Sequence, residues 1–283
     1  MKKKIPYLIL LAATASPAWS QTLTSAILSN ADVTIYEESS PGTLVINNSA
    51  PLLTVLQGSA NAAGGNVELF TSSDGLPNDS TSGGLFGSAN PTILTAGFSN
   101  SDIIVLSGLS GQDWFTDSSN SYDTSYGANN LANLWFSDFL GAMSSQQTSG
   151  PDAITGNEAF LYSNFLSNGG FAQLSDPNIS YIENTGSILN IGLGGFADST
   201  SRVAGLIGVS EAQLTASFAN GIEVSEVVLI NGQAAYGFDG VDSGVVLNDG
   251  VNSYASTFVV SVPEPSSALL SLAGLALAAR RRR

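Results

Sequence analysis

The sequence has 283 residues and a formal charge of −15, and it contains neither cysteine nor histidine. Without cysteine there are no disulfides, thiol nucleophiles or thiolate metal sites, and without histidine there is no Ser-His-Asp triad and no imidazole ligand for zinc. Paired carboxylates, as in glycoside hydrolysis, and calcium bound by oxygen ligands remain open. A composition of 43% hydrophobic and 11% charged residues is typical of a folded chain.

The N-terminus has the pattern of a secretory signal peptide, predicted over residues 1–20. Lys2, Lys3 and Lys4 precede an apolar run that gives way to small residues. This order favours cleavage after Ser20, with Ala15 as the second choice. The chain is therefore predicted to be exported. The alternative, an N-terminal helix of the folded domain, would have to pack three lysines together with an almost unbroken apolar run.

The cations are concentrated at the two ends of the chain, so the body between them is strongly acidic. Seven of the eight Lys and Arg residues lie within residues 2–4 and 280–283, and only Arg202 lies between. One arginine against 23 acidic residues gives the body a formal charge of −22. Such a charge repels nucleic acid and anionic membrane surfaces, so neither is an expected partner. Arg202 could neutralise a buried carboxylate, with Asp198 one helical turn away, or be exposed; we predict exposure, because Ser, Thr and Gly surround it.

From residue 31 onwards the chain has the pattern of short strands. Pro-Gly, Gly-Gly and Asp-Gly turns occur among β-branched or alternating segments at residues 32–38, 42–48, 52–58, 66–72, 91–99 and 102–108. This spacing is typical of an antiparallel sandwich or a barrel-like domain.

The middle of the chain changes to helical spacing. Apolar residues recur every three or four positions, between residues that favour helix starts and ends, over residues 129–143, 157–170 and 210–221. Asn231-Gly232 predicts the type I′ turn of a hairpin, and residues 253–262 predict a last strand. The predicted fold class is therefore mostly β, an antiparallel sandwich or barrel-like domain with about three short helices in the middle.

Residues 113–136 combine two tryptophans with several carboxylate and amide side chains. In one interpretation Trp114 and Trp135 are core residues, and the polar residues form a turn-rich loop. In a second, the loop binds calcium through side-chain oxygens, although its spacing matches no EF-hand. The candidate ligands are Asp113, Asp117, Asn120 and Asp123.

A third interpretation is that this stretch binds or cleaves carbohydrate. Exposed aromatic rings would stack on sugars, and two of Asp113, Asp123 and Asp138 would serve as acid and base. Tryptophans packed inward favour a structural role. A cleft with two carboxylates about 5–9 Å apart favours a glycan-active enzyme.

The C-terminus has three parts in a fixed order. Val262, Pro263, Glu264 and Pro265 precede an uncharged run over residues 266–279, and the chain ends with Arg280, Arg281, Arg282 and Arg283. The prolines fix φ and remove backbone donors, so this segment is expected to be extended and accessible to a processing enzyme. As a helix the run spans roughly 21 Å, against about 30 Å of hydrocarbon, which predicts a marginal transmembrane helix with cytoplasmic arginines.

This layout resembles the PEP-CTERM sorting signal. The resemblance implies a Gram-negative exported protein that is processed by an exosortase, a membrane transpeptidase-like enzyme, and commonly associated with extracellular polysaccharide. A plain membrane anchor, which would not need Pro-Glu-Pro, is the alternative. Residues 113–136 and 175–181 also resemble a group of PEP-CTERM proteins without an assigned activity, from which no catalytic residue is transferred.

These features predict a signal peptide over residues 1–20, an exported domain over 21–261 and a sorting signal over 262–283. The precursor is expected to be held transiently in the inner membrane by the C-terminal helix, and the processed protein to reach the cell surface or the extracellular space. There we predict a non-catalytic structural or polysaccharide-associated protein, with a carboxylate-dependent glycan-active enzyme as the alternative. Calcium is the one cofactor considered, and the exosortase and extracellular polysaccharide are the predicted partners.

Overall fold

The computed structural model describes residues 21–29, 33–40, 43–58, 64–69, 91–147, 155–184, 188–196, 199–218, 221–239, 241–248 and 253–263. The strands are β1 (Leu23–Ser29), β2 (Val33–Ser40), β3 (Thr43–Ile46), β4 (Gly65–Leu69), β5 (Ile93–Phe98), β6 (Ile103–Ser107), β7 (Asn178–Asn184), β8 (Ile188–Phe196), β9 (Val224–Ser225), β10 (Val228–Ile230), β11 (Gln233–Ala235), β12 (Val241–Asn248) and β13 (Ser253–Pro263). The helices are α1 (Leu52–Leu56), α2 (Gly111–Phe115), α3 (Leu131–Gln146), α4 (Glu158–Ser167), α5 (Gly170–Gln173), α6 (Thr200–Ile207) and α7 (Glu211–Ser217).

The strands form two sheets. The smaller sheet has the order β1-β5-β6-β10-β11 and is antiparallel throughout. Burial alternates along β5 and β6, as expected where one sheet face packs on a core and the other does not. The buried members of this alternation are Leu94, Ala96, Phe98, Ile104 and Leu106.

The larger sheet has the order β13-β12-β3-β2-β4-β7-β8-β9, and β13 also pairs with β8. The β13–β8 ladder runs antiparallel over eight residue pairs, from Ser256 opposite Gly195 to Pro263 opposite Ile188. By contrast, β12 meets β3 through one parallel pair, Val246 and Thr43. A single pair is too short a contact to close the sheet into a barrel, so the described residues form two sheets and no closed barrel.

In the described residues, two apolar cores hold the domain together. The first lies between the sheets and combines side chains of the smaller sheet with those of β4, β7 and β8, such as Val67, Ile179 and Leu193. The second consists mainly of helix side chains and contains both tryptophans of the stretch 113–136. Every residue of β4 is buried, so the middle of the larger sheet is covered on both faces.

The β-rich fold class is confirmed, but one strand prediction is wrong. Residues 52–58 contain helix α1, which begins after Pro51 and buries Val55 and Leu56 against the first core. Five apolar or β-branched residues fit a strand or a helical turn equally well, and proline before them favours a helix start. The helices predicted around residues 129–143, 157–170 and 210–221 correspond to α3, α4 and α7.

Several elements were not predicted from the sequence. These are β1, β7, β8, β9, β12 and the four short helices α1, α2, α5 and α6. The hairpin of β10 and β11 was predicted correctly, and Asn231 and Gly232 both have positive φ, 51° and 79°, as a type I′ turn requires. The predicted signal peptide and the predicted C-terminal helix lie outside the described residues.

Candidate functional site

Trp114 and Trp135 are core residues. Neither has exposed surface, and their rings meet edge to face with centroids 6.3 Å apart. Phe171 contacts both rings, at 5.0 Å from Trp114 and 6.1 Å from Trp135. Because neither indole reaches the surface, neither can stack on a sugar, and the core interpretation of these two residues is confirmed.

Helix α2 holds Trp114 in this position. Ser110 and Asp113 form a capping box at the start of the helix: each side chain accepts a hydrogen bond from the backbone N–H of the other residue. Trp114 Nε1 donates to Ser175 Oγ at 2.7 Å, and Ser175 Oγ donates to the carbonyl of Phe171 at 2.6 Å. The indole is therefore held by the hydrogen bond of its N–H group and by the packing of its ring against Trp135 and Phe171.

The acidic loop after α2 is organised by its own carboxylates. Asp117 Oδ1 accepts from Ser119 N at 2.8 Å, Ser119 Oγ at 2.7 Å and Ser121 N at 2.8 Å. The hydrogen bond from the Ser119 side chain, followed by that from the Ser121 backbone, lowers the pKa of Asp117. Asn120 follows in the left-handed region, with φ of 60°, which asparagine tolerates.

Asp123 plays a similar part further along the loop. Its Oδ1 accepts from Ser125 N at 2.8 Å, and this bond lowers the pKa of Asp123. The negative charge of Asp117 acts against this lowering, so the two carboxylates are close enough to interact. Asn130 Nδ2 fastens the loop to the core by donating to the carbonyls of Asp123 at 2.6 Å and Phe115 at 3.3 Å.

The four predicted calcium ligands are thus only partly brought together. Asp117, Asn120 and Asp123 share one loop, whereas Asp113 Oδ2 accepts from Ser110 N at 2.7 Å at the start of α2. Within the described ranges, no group of three or more acidic side chains could hold a metal ion. Calcium binding by this loop stays a prediction.

Two tyrosine rings form the exposed aromatic surface of the same loop. Tyr122 is 44% exposed and Tyr126 is 48% exposed. Tyr122 packs edge to face on Phe115, with centroids 5.8 Å apart, and Tyr126 packs on Tyr162 at 5.5 Å. Each ring therefore packs against a buried aromatic residue of the core on one side, and part of it stays exposed to solvent.

Three buried carboxyl groups, none of them singled out from the sequence, interact on the larger sheet. Asp176 precedes β7, Glu68 lies in β4 and Glu226 follows β9; their exposed fractions are 8%, 6% and 2%. Burial raises the pKa of Asp176 well above its usual range, and the charges of Glu226 and Glu68 raise it further, while Arg202 acts in the opposite direction. Asp176 therefore keeps its proton to a higher pH than an exposed aspartate does.

Hydrogen bonds hold two of these carboxyl groups. Glu226 Oε2 accepts from Asn178 N at 2.6 Å, and Asn178 Nδ2 donates to both Glu226 oxygens at 3.1 and 3.2 Å. Tyr36 donates to Glu68 Oε2 at 3.0 Å. A Cβ on Gly194 would lie 2.8 Å from Asn178 Cβ, so this network leaves no room for a larger residue there.

Arg202 is half-buried, so the prediction that it is exposed is wrong. Helix α6 packs Val203 and Leu206 on the helical core, and this orientation places Arg202 beside the buried acids. Arg202, Glu226 and Trp135 line a cavity of about 30 Å³. A cavity of this size has room for at most a few water molecules.

The predicted sorting motif begins inside the folded sheet. Val262 and Pro263 are the last two residues of β13, opposite Leu189 and Ile188 of β8. Glu264, Pro265, Arg280, Arg281, Arg282 and Arg283 lie outside the described residues. None of the helices in the described residues combines the length and the apolar character that a membrane span requires.

A family model for the PEP-CTERM protein-sorting motif matches residues 261–283. No curated protein and no solved structure gives a significant match to the chain. The chain carries a PEP-CTERM sorting signal at its C-terminus. The signal implies an exported protein that an exosortase recognises and sorts.

Proposed function

We propose that this protein is a non-catalytic component of the cell surface or the extracellular matrix. The observation that carries the proposal is the sorting motif at residues 261–283, which implies export through an exosortase. In this proposal the precursor is anchored in the membrane by the apolar run at 266–279, and processing delivers the acidic body to the outside. The high negative charge of the body keeps it soluble there.

The packing of the aromatic and acidic residues supports a role without catalysis. Trp114 and Trp135 are buried, and Asp113 caps a helix. The interacting acids Asp176 and Glu226 are buried as well, and the cavity beside Glu226 is about 30 Å³. Pockets that bind small molecules usually measure about 300–1,000 Å³, so this cavity does not suit a sugar substrate.

Replacing Pro263, Glu264 and Pro265 with alanine is expected to abolish processing in a host that carries the cognate exosortase. The body should then stay membrane-bound at the mass of the precursor, because the enzyme loses the motif that it recognises. Mass spectrometry of membrane and released fractions measures this. The wild-type chain in a host lacking the exosortase is the matched reference, and unchanged mass and release of the variant would contradict the assignment.

For the association with polysaccharide, we propose Tyr122 and Tyr126 as the contact surface. Both tyrosine rings are partly exposed and packed on the core, and both belong to a polar loop. A neutral sugar polymer could contact them, since tyrosine offers an apolar ring face and a hydroxyl together. The body repels acidic polymers and tolerates neutral ones.

Replacing Tyr122 and Tyr126 together with alanine is expected to weaken cosedimentation with the host's extracellular polysaccharide by roughly 5- to 150-fold, since losing two stacked rings at about 0.5–1.5 kcal/mol each costs about 1–3 kcal/mol. Phe160→Ala is the control, because Phe160 is an aromatic residue that is 59% exposed on α4. If Phe160→Ala weakened cosedimentation equally, the binding would be non-specific adhesion of exposed aromatic residues. Release of soluble sugar from the pellet would instead support the glycan-active alternative, with Asp113, Asp123 and Asp138 as the carboxylates to replace.

The calcium hypothesis predicts that millimolar calcium raises the unfolding temperature more than sodium chloride of equal ionic strength. A site that binds only the folded chain adds about 2.7 kcal/mol at a hundredfold excess over Kd, whereas screening depends on ionic strength alone. Asp117→Asn with Asp123→Asn should remove the excess. Both carboxylates also accept backbone hydrogen bonds, so the relevant quantity is the difference between the two salts. Equal melting curves of the wild type would remove the hypothesis.

A further inference from the structure

The last strand and the sorting motif share residues. The family match begins at residue 261, and β13 continues to Pro263. Ser261, Val262 and Pro263 therefore belong both to the motif and to the ladder with β8, where they stand opposite Asn190, Leu189 and Ile188. No residues separate the folded sheet from the sorting motif.

Because of this overlap, β8 and an enzyme that binds the sorting motif would contact the same residues. Enzymes that read short motifs commonly bind them as extended segments through main-chain hydrogen bonds, which is also how β8 holds β13. The expectation of an extended segment is met at Val262 and Pro263, but in the fold these residues are already paired. The same main-chain groups cannot serve β8 and an enzyme cleft together.

The end of the ladder is the place where the pairing is easiest to undo. Pro263 has no N–H and cannot donate to the ladder, and proline is confined to the ends and edges of strands for this reason. Its partner Ile188 is the first residue of β8 and is 44% exposed. Local opening at such an end costs far less than unfolding the domain.

We propose that β8 and the exosortase compete for residues 261–263, so that the enzyme processes the chain only while the end of β13 is released from β8. The proposal rests on the sorting signal and adds a means of regulating it. The rate of processing then scales with the fraction of chains in which this end is open. A folded precursor is processed slowly, and one whose last strand has not yet docked is processed fast.

The absence of cysteine makes a clean cross-linking test available. Ser261→Cys with Asn190→Cys places one thiol pair across the end of the ladder, at positions that face each other in the register. The full-length precursor is purified from a host without the exosortase, oxidised to completion, and incubated with membranes that contain the enzyme. We expect the oxidised form to be processed at least about tenfold more slowly than wild type, because the cross-link removes the open state.

Three comparisons make the outcome decisive. The same variant after reduction should be processed at the wild-type rate, which excludes misfolding. Thr95→Cys with Val105→Cys, a facing pair in the smaller sheet, should leave processing unchanged in its oxidised form. The alanine replacement of Pro263, Glu264 and Pro265 tests the sorting signal itself. If that variant fails to be processed while the oxidised 190–261 cross-link is processed at the wild-type rate, the signal stands and the competition is refuted.

Discussion

Phe171→Ala is expected to destabilise the domain by about 3–5 kcal/mol, the usual loss for removing a buried phenylalanine ring. Phe171 has no exposed surface and contacts five other rings, those of Trp114, Phe115, Trp135, Tyr162 and Phe165. Neighbouring Gly170 lies against the Phe165 ring, which leaves this part of the core little freedom to collapse into the space left by the deleted ring.

Thermal unfolding followed by tryptophan fluorescence measures this loss. For a domain of this size about 1 kcal/mol corresponds to 2–4 °C, so the midpoint should fall by roughly 6–20 °C. Phe160→Ala is the matched control, because it deletes the same side chain at a position that is 59% exposed, and it should move the midpoint little. Similar shifts in the two variants would mean that the second core is not packed as described.

Asp176→Asn is expected to stabilise the protein at pH 8 by about 1–3 kcal/mol, the range for relieving a buried polar group that its surroundings compensate only in part, and to have a much smaller effect near pH 4. Burial and the nearby Glu226 and Glu68 raise the pKa of Asp176 in the folded chain. Its contribution to stability is therefore fully present below the unfolded pKa and is lost as the pH rises through the folded pKa. An asparagine side chain resembles the protonated carboxyl group of Asp176 and does not ionise, so its contribution to stability does not change over this pH range.

Unfolding in urea at several pH values between 4 and 8 measures this effect. The wild type should lose stability relative to Asp176→Asn as the pH rises. Asp138→Asn is the control, because Asp138 is exposed and accepts a hydrogen bond from Tyr236 at 2.7 Å. Below about pH 4 every variant should lose stability as Asp117 and Asp123, whose folded pKa values are lowered, become protonated. Parallel pH curves for the wild type and Asp176→Asn would contradict the buried acidic network.

Local patterns predicted local structure well. The sorting motif, the Asn231-Gly232 turn and the helix that begins after Ser210 each depend on neighbouring residues, and each was predicted from them. Helix α1 was missed because its five residues carry no periodicity that separates a strand from a helical turn. The burial of Trp135 followed from helical spacing, whereas Trp114 lies in α2, which was not predicted. For both residues the sequence left a carbohydrate site as an alternative to the core.

The buried acids could not be predicted as a group, because Glu68, Asp176 and Glu226 are separated by 50 residues or more in the sequence and meet only through strand pairing. One signal was present. Glu68 and Glu226 each stand in an apolar run, "NVELF" and "VSEVVLI", where a charged side chain is expected to be buried and to need partners. The partners of each buried glutamate depend on the order of the strands in the sheet, and a single stretch of sequence does not reveal that order.

The short distance from the end of β13 to the apolar run also bears on the precursor. Only Glu264 and Pro265 separate Pro263 from Ser266, so even a fully extended chain spans about 10 Å across these three steps. In the proposed anchored state, the body with its charge of −22 would begin about one Debye length, roughly 8–10 Å, from the bilayer surface. Anionic headgroups would repel it there. Cleavage of the anchor would remove the electrostatic repulsion between the body and the membrane. Release of the cleaved body should therefore be faster from membranes rich in anionic lipid and at low ionic strength.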